Sequence, residues 1–521
     1  MSFEINQALG NIRKILMSQA PKQAWLSLKV LLEAWPDDSL QLAIDYIEPH
    51  IEGWDTQVRS MFFMPGHACW PLLRQLYLTH EDCFSLDASL SFSHITALYL
   101  ECEAKSGLNY IDILYRFPNI RSLELDQWDS LVDLSFLSLF PKLEALHIMG
   151  SPRLLNLAGS PKLLHMRELS FQECCSLKSL KGIEQFPNVH QIQMSEVHEL
   201  NDLEGLEHCQ HLLSLSLGQC DNLQDISTVA KCQKLESLEL FSCYELAELS
   251  PLSHLTSLRE LKLDGVDVCD LSPLSSLICL ESLSIENVTQ IRTLVPLRNL
   301  PVMSTLKTLD LSGTFLDDLQ GLENCVALET LEASGSFLQS LKGIEQCTSL
   351  ERLYLSKCHR LENVDALSSL SGIVWIDLEE CSKLRQIDGL RSHRLEDLNI
   401  HRCSTLEHVD GLLGSSGLQR LTLSECHSLK HVDGLSAMEG LQVLYLDACW
   451  ALEQVDGLAN CTELEALQLS DCRALRNVDG LRNASKLRWL SMRDCHSLEQ
   501  VDGLSAITRL EGRKLDLYGC H

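Results

Sequence analysis

The sequence predicts an α/β chain: a solenoid of about twenty strand-and-return units, curved like a horseshoe around one long concave parallel β-sheet, with a small helical domain before it. Two observations carry this. An apolar L-x-L core recurs every 22 or 23 residues from Leu78 to Leu517, with longer steps of 25 or 26 residues before Leu125, Leu311 and Leu517. Residues 1–70 lack that period and space their apolar side chains three and four apart. Alternation over a few residues marks a half-buried strand, whereas a 3.6-residue spacing marks a helix. One short unit cannot bury its apolar face alone, so neighbours must stack into a continuous core.

Residues 1–70 are the first element. Ile5, Leu9, Ile12 and Leu16 share one helical face, as do Trp25, Leu28, Leu32 and Trp35, and then Leu40, Ala43, Ile44 and Ile47. Pro36-Asp37-Asp38 breaks the second run from the third and supplies a helix-capping side chain. Two or three short helices are expected. They would cap the first repeat's apolar edge, or serve as an adaptor that docks onto a second protein.

Residues 71–521 are the solenoid. The stretches LQRLTLSECHSLKHVDGL, LQVLYLDACWALEQVDGL, LEALQLSDCRALRNVDGL and LRWLSMRDCHSLEQVDGL begin at residues 418, 441, 464 and 487. Twenty stacked strands at about 4.8 Å each would span roughly 95 Å along the inner arc. The pattern L-x-x-L-x-L-x-x-C-x-x-L-x-x-V-D-G-L resembles the leucine-rich-repeat family in its short bacterial form, with Cys where Asn is usual. The resemblance implies a non-enzymatic scaffold that binds a protein partner in its concave face. A different class of role would be a regulatory or effector subunit, an inhibitor or sensor of an enzyme, with the N-terminal helices as adaptor.

Three side-chain columns follow the repeat. Eleven cysteines, among them Cys358, Cys381, Cys403, Cys426, Cys449, Cys472 and Cys495, fall three residues after the second strand apolar. Such a column could be a metal or redox array, but its strict period favours small buried thiols facing backbone carbonyls of the turn. The Asp of V-D-G-L recurs at Asp388, Asp410, Asp433, Asp456, Asp479 and Asp502. We read it as a cap on the exposed N–H groups of an outer turn rather than a calcium ligand. His408 and His431 share a slot with Asn363, Gln386, Gln454, Asn477 and Gln500, which suggests a solvated polar edge. No metal or other cofactor is expected, and no nucleophile-elbow or phosphate-loop motif occurs.

Strand residues that flank the two core apolars point into the concave face. The early strands place Tyr77 and Tyr99 there, and then mostly Ser, Gln and acids such as Glu239, Asp310 and Glu332. From Tyr354 onward the face gains Trp375, Asp377, Tyr445, Trp489, Arg493 and Tyr518. Tyr, Trp and Arg carry much of the energy of protein interfaces. These seven residues are therefore the candidate partner-binding site.

Composition bounds the partner. Lys+Arg 42 against Asp+Glu 72 gives a net charge of −30, which disfavours nucleic acid and anionic membrane and admits a basic protein. Residues 71–350 carry 18 basic and 38 acidic residues and could steer one. The 22 cysteines without CxxC pairing, and the polar N-terminal stretch around Glu4, point to a reducing cytoplasm, with signal-independent secretion as an effector left open. The final strand, Leu515-Asp516-Leu517, carries no outer return after it. An end-to-end homodimer would cover that edge.

Overall fold

Three helices lead the chain: α1 (Phe3–Ser18), α2 (Pro21–Glu33) and α3 (Leu40–Ile51). The structure, a computed structural model, describes residues 3–18, 20–33, 40–51, 60–62, 75–79, 83, 92–102, 110–390, 392, 394–507 and 515–520. The chain divides into two units, Met1–Leu235 and Glu236–His521. Within each, successive strands pair in parallel.

In the first unit α1 packs on α2 and α3. Ile12, Trp25, Leu28, Leu32, Ala43, Ile44 and Ile47 are buried, as the helical spacing requires. Trp35 and the Pro36-Asp37-Asp38 break lie outside the described residues. Eight strands follow, from Ser60–Phe62 to Ser214–Gly218. The first of them precedes the periodic sequence and pairs in parallel with Gln75–Leu78. Successive strands then pair at equivalent positions, so that Leu123 lies beside Leu146 and Leu146 beside Leu169. Below them Phe92 and Phe117 stack with ring centroids 4.8 Å apart, both fully buried.

The second unit has thirteen described strands, from Ser237–Phe241 to Leu515–Asp516, again all parallel and in sequence order. Leu353, Ile376, Leu398, Leu421, Leu444, Leu467 and Leu490 make one buried row and Leu355, Leu378, Ile400, Leu423, Leu446, Leu469 and Met492 the next. The polar residue between each pair stays on the open face. That alternation holds the register, because a slip of one residue would turn every leucine into water.

The corner after each strand was not visible in the sequence. Two residues past the second core apolar, every unit from Gln127 to Gly519 places one residue in the left-handed region. Glycine fills that place at Gly150, Gly265, Gly313, Gly335 and Gly519; elsewhere it is held by Gln, Glu, Ser, Asn, Lys, Arg, Ala or Asp, for example Lys357 and Ala448 with φ of 61° and 56°. Such a conformation costs about 1–2 kcal/mol for a residue with a Cβ. It is offset by the hydrogen bond it makes possible: the Lys357 N–H donates to Glu379 O (2.6 Å) and the Ala448 N–H to Ser470 O (2.7 Å).

Short 3-10 turns form the outer returns, such as Asp433–Leu435 and Asp456–Leu458. The capping expectation needs correction here. The V-D-G-L carboxylates open these turns, but none accepts a described backbone N–H. The cap sits two residues earlier, where Asn363 accepts from the Asp365 N–H (3.3 Å) and Asn477 from the Asp479 N–H (3.1 Å). Asp225 and Asp270 serve Ser227 and Ser272 in the same way, and these hydrogen bonds hold the Asp270 carboxyl below its ordinary range. At Asn363 and Asn477 the slot read as a polar edge is thus a capping slot. Where His431 fills it, the ring turns its Nδ1 toward Asp433 Oδ2 at 3.3 Å.

Candidate functional site

The cysteine column lies under the corner of each unit. Cys381 donates to Leu355 O (3.2 Å), Cys403 to Leu378 O (3.1 Å), Cys426 to Ile400 O (3.1 Å) and Cys449 to Leu423 O (3.2 Å). The acceptors belong to the strand end of the preceding unit rather than to a turn. Ser151, Thr314 and Ser336 occupy the same slot and are buried like the thiols. Burial pushes the Cys426 and Cys495 thiols up to about 12. Thiolate is the reactive and metal-binding form, and burial disfavours it at these two thiols. Among the described residues no group of three or more His, Cys, Asp or Glu side chains is arranged to hold a metal ion.

This arrangement makes a direct prediction. A maleimide reagent on the native protein should label Cys175, Cys269 and Cys279, which are exposed, and leave the buried thiols such as Cys426 and Cys449 unlabelled until denaturant is added. Mass mapping of the labelled peptides checks it. Rapid native labelling of the buried column would remove its structural role.

The seven residues picked from the sequence are all on described parts of the second unit, and they form two groups. Tyr354 and Asp377 are registered neighbours on adjacent strands. Trp375 is 37% exposed, with its ring centroid 6.5 Å from that of Tyr354. Asp377 is held by the Ser356 hydroxyl (2.6 Å) and the Asn399 side-chain amide (2.9 Å). Beside it Asp397 meets Arg420 at 3.4 Å, and burial nevertheless raises its carboxyl pKa. Trp489, 36% exposed, falls in the same column as Trp375, five strands later, roughly 24 Å away. Arg493 is exposed in the turn after that strand, and Tyr518, 78% exposed, lies in the turn after the next strand, Leu515–Asp516. Tyr445 is half-buried between the two groups. The alternation places the five strand residues on the open face, Arg493 and Tyr518 lie in turns just past it, and the seven do not form one cluster.

Sequence reasoning missed a third feature, the column immediately after the ladder cysteine. The His427 ring lies flat on Trp450, centroids 3.6 Å apart and 5° from parallel. The Arg473 guanidinium sits 4.9 Å from the Trp450 ring centroid. Asp471 ties the stack together, accepting from Trp450 Nε1 (3.1 Å) and from Arg473 Nε (2.8 Å). His359, His427 and His496 each place Nδ1 2.9 Å from a carbonyl of the next unit. The signal was present as Cys-His, Cys-Trp, Cys-Arg, Cys-His at one period. It reads as an inter-unit staple with an exposed π edge.

In the first unit the open face carries a stacked pair. Tyr77 and Tyr99 lie 4.0 Å apart and 9° from parallel, and the Tyr99 hydroxyl donates to Asp126 at 2.7 Å. Burial, then the Tyr77 and Asp126 contacts, raise the Tyr99 phenol above its usual value. Among the described residues no helix is long and apolar enough to cross a membrane.

Comparison with known proteins completes the picture. The BspA type leucine rich repeat region matches residues 154–264 in six copies. No curated protein matches the sequence. Among solved structures, a leucine-rich-repeat protein of Leptospira interrogans is similar at 17% identity, with a TM-score of 0.51, over 79% of this chain and 94% of that one. An internalin of Listeria monocytogenes is similar at 19% identity, with a TM-score of 0.45, over 63% and 87% of the two chains. A plant peptide hormone receptor in complex with RGF2 is similar at 14% identity, with a TM-score of 0.41, over 85% and 91%. Residues 154–264 thus carry a leucine-rich-repeat match, and the chain has the leucine-rich-repeat fold.

Proposed function

We propose that the second unit binds a protein partner on the open face of its sheet and acts as a binding module rather than an enzyme. The observation that supports this most directly is the pair of tryptophans, Trp375 and Trp489, each more than a third exposed although both are anchored on strands. An exposed Trp on a rigid strand gains nothing for the core. It offers a large contact area at small entropic cost, which is what interface anchors require. Tyr354 and Asp377 flank the first anchor, and Arg493 and Tyr518 lie near the second.

Trp375→Ala and Trp489→Ala should each weaken capture of the cellular partner by about 2 kcal/mol, with little change in melting temperature. Quantitative affinity capture with the full chain, compared between wild type and each variant, measures it. Undiminished capture by both variants would move the site off this face.

A second reading rests on the N-terminal helices. Leu26 and Val30 are exposed one turn apart on α2, opposite the buried Trp25, Leu28 and Leu32. They fit an adaptor that docks onto another protein, so that the chain serves as a regulatory subunit. Leu26→Glu with Val30→Glu, in the same capture experiment, separates partners held by the helices from partners held by the sheet.

A further inference from the structure

The open face of the second unit is not uniform in charge, and its most acidic part runs into the Tyr354 and Trp375 group. Four consecutive units contribute one acid each: Asp264, Asp310 and Glu332 on their strands, and Glu286 in the turn just past the strand Ser282–Ser284. The register makes Asp310, Glu332, Tyr354 and Asp377 successive neighbours in one column. Asp264 and Glu286 lie two residues further along the chain than Lys262 and Ser284, which share the Asp310 column, so the four carboxylates form a stepped lane.

Their surroundings leave this charge uncompensated. Lys262 is engaged with Glu239 (2.6 Å) and Glu260 (2.9 Å). Arg352 is in the neighbouring column, shared with Trp375, and makes no ion pair with the four. Among the described residues no Lys, Arg or His forms a salt bridge with any of them. What they receive is the Asn287 amide, which donates to Asp264 (3.1 Å) and to Glu286 (3.4 Å), and the Ser312 N–H, which donates to Asp310 (2.9 Å). Burial, and then Asp264, Asp310 and Glu332, raise the Glu286 pKa; burial and Asp310 raise that of Glu332. A carboxylate whose folded-state pKa is raised works against folding once pH rises through its unfolded value. Glu286 and Glu332 therefore add nothing to stability at neutral pH, and they stand beside two further carboxylates with no cation paired to any of the four, so their use is to be sought outside the fold.

We infer that this lane is the seat of a basic, extended peptide segment of the partner, with alternate Lys or Arg side chains on the carboxylates and its continuation on Tyr354 and Trp375. The dimensions agree. Four strands cover about 14 Å from first to last, and three side chains on one face of an extended peptide, at positions i, i+2 and i+4, cover about 13.5 Å. A further Lys or Arg would lie over an exposed aromatic ring, where cation–π attraction adds to the ion pairs. The cost of desolvating a cation there is offset by its attraction to several carboxylates at once and by relief of their mutual repulsion.

This inference rests on the open face being the binding face, and the test separates the two. The probe is a dye-labelled Lys-Ser-Lys-Ser-Lys-Ser-Lys peptide, with its Glu-Ser counterpart as control, titrated against the full chain at low and at raised salt. Wild type should bind the Lys peptide, more weakly as salt rises, and not the Glu peptide. Glu286→Gln with Asp310→Asn and Glu332→Gln should weaken binding about tenfold or more. The charge-matched change Glu362→Gln with Glu453→Gln and Glu499→Gln, on exposed outer returns, should change it less than about twofold. The lane variant should melt no lower than wild type, and Glu286→Gln alone should melt slightly higher, which a merely structural role for these acids would not give.

Equal weakening by both triple variants would reduce the effect to overall charge and overturn the lane. So would calcium chloride displacing the peptide from wild type at concentrations without effect on the Glu362, Glu453 and Glu499 variant's fold, since a divalent cation would then be the occupant. If Trp375→Ala abolishes partner capture while the lane variant captures normally, the binding face stands and the basic occupant falls. If neither variant affects capture, the face itself falls.

Discussion

Gly457→Ala is expected to destabilise the last repeats by about 3 kcal/mol. A Cβ on Gly457 would meet the Val432 carbonyl oxygen at 2.0 Å and the Asp433 Cα at 2.8 Å. Both are backbone atoms of the preceding return, so no side-chain rotation relieves the clash. Gly411, Gly434, Gly480 and Gly503 stand in the same relation to the unit before them, with closest approaches of 1.9–2.0 Å. None of these has a left-handed φ. The column is therefore glycine because consecutive returns stack backbone on backbone, not because the turn needs an unusual dihedral. Gly440→Ala is the control, since its Cβ would find nothing nearer than Ser416 O at 3.4 Å. Urea denaturation, with hydrogen exchange followed over residues 432–458, should show local loosening in the first variant and near-native protection in the second. Equal behaviour of the two would refute the stacking argument.

Phe117→Ala should destabilise the first unit by about 3–5 kcal/mol. Its ring is fully buried against Phe92, at 4.8 Å and 18°, and the Phe92 N–H donates to Arg116 O (2.9 Å). Removing it takes away both the stacked partner and the volume that fills the space under the strands Ala97–Glu101 and Ser122–Asp126. Each repeat touches mainly its neighbours, so the loss should first appear as faster amide exchange in residues 92–126 rather than across the whole chain. Tyr115→Ala, two residues away and mostly exposed, should cost no more than about 0.5 kcal/mol.

The strands and their register were legible because two apolar residues with one residue between them, repeated at a fixed spacing, leave only one way to bury both. The same alternation made the exposure of Trp375 and Trp489 readable, since a residue outside the core pair must face away. The three helices were legible in type for a similar reason. Their apolar spacing matches α-helical geometry, and Ile12, Leu28 and Ile47 are buried.

Other features depended on neighbours about 23 residues away. Lys357, Glu380, Arg402 and Ala448 share a left-handed conformation that none of those residue types announces; the hydrogen bond to the next strand imposes it. The helix-capping rule pointed to the V-D-G-L aspartates, but the returns are 3-10 turns whose first free N–H faces back to the side chain two residues before it. Trp450 drew no notice as a surface aromatic after a cysteine, yet stacking sets it between His427 and Arg473.

By itself the sequence determined the repeat, the parallel strands, the buried rows and which side chains reach the open face, because each of these follows from periodicity along one chain. Tertiary structure decided the corners, the glycine column, the actual caps and the grouping of Asp264, Glu286, Asp310 and Glu332 into one uncompensated lane. Those features are set by distances between successive units. A one-dimensional pattern shows which residues recur, whereas the stacking geometry decides which of them touch.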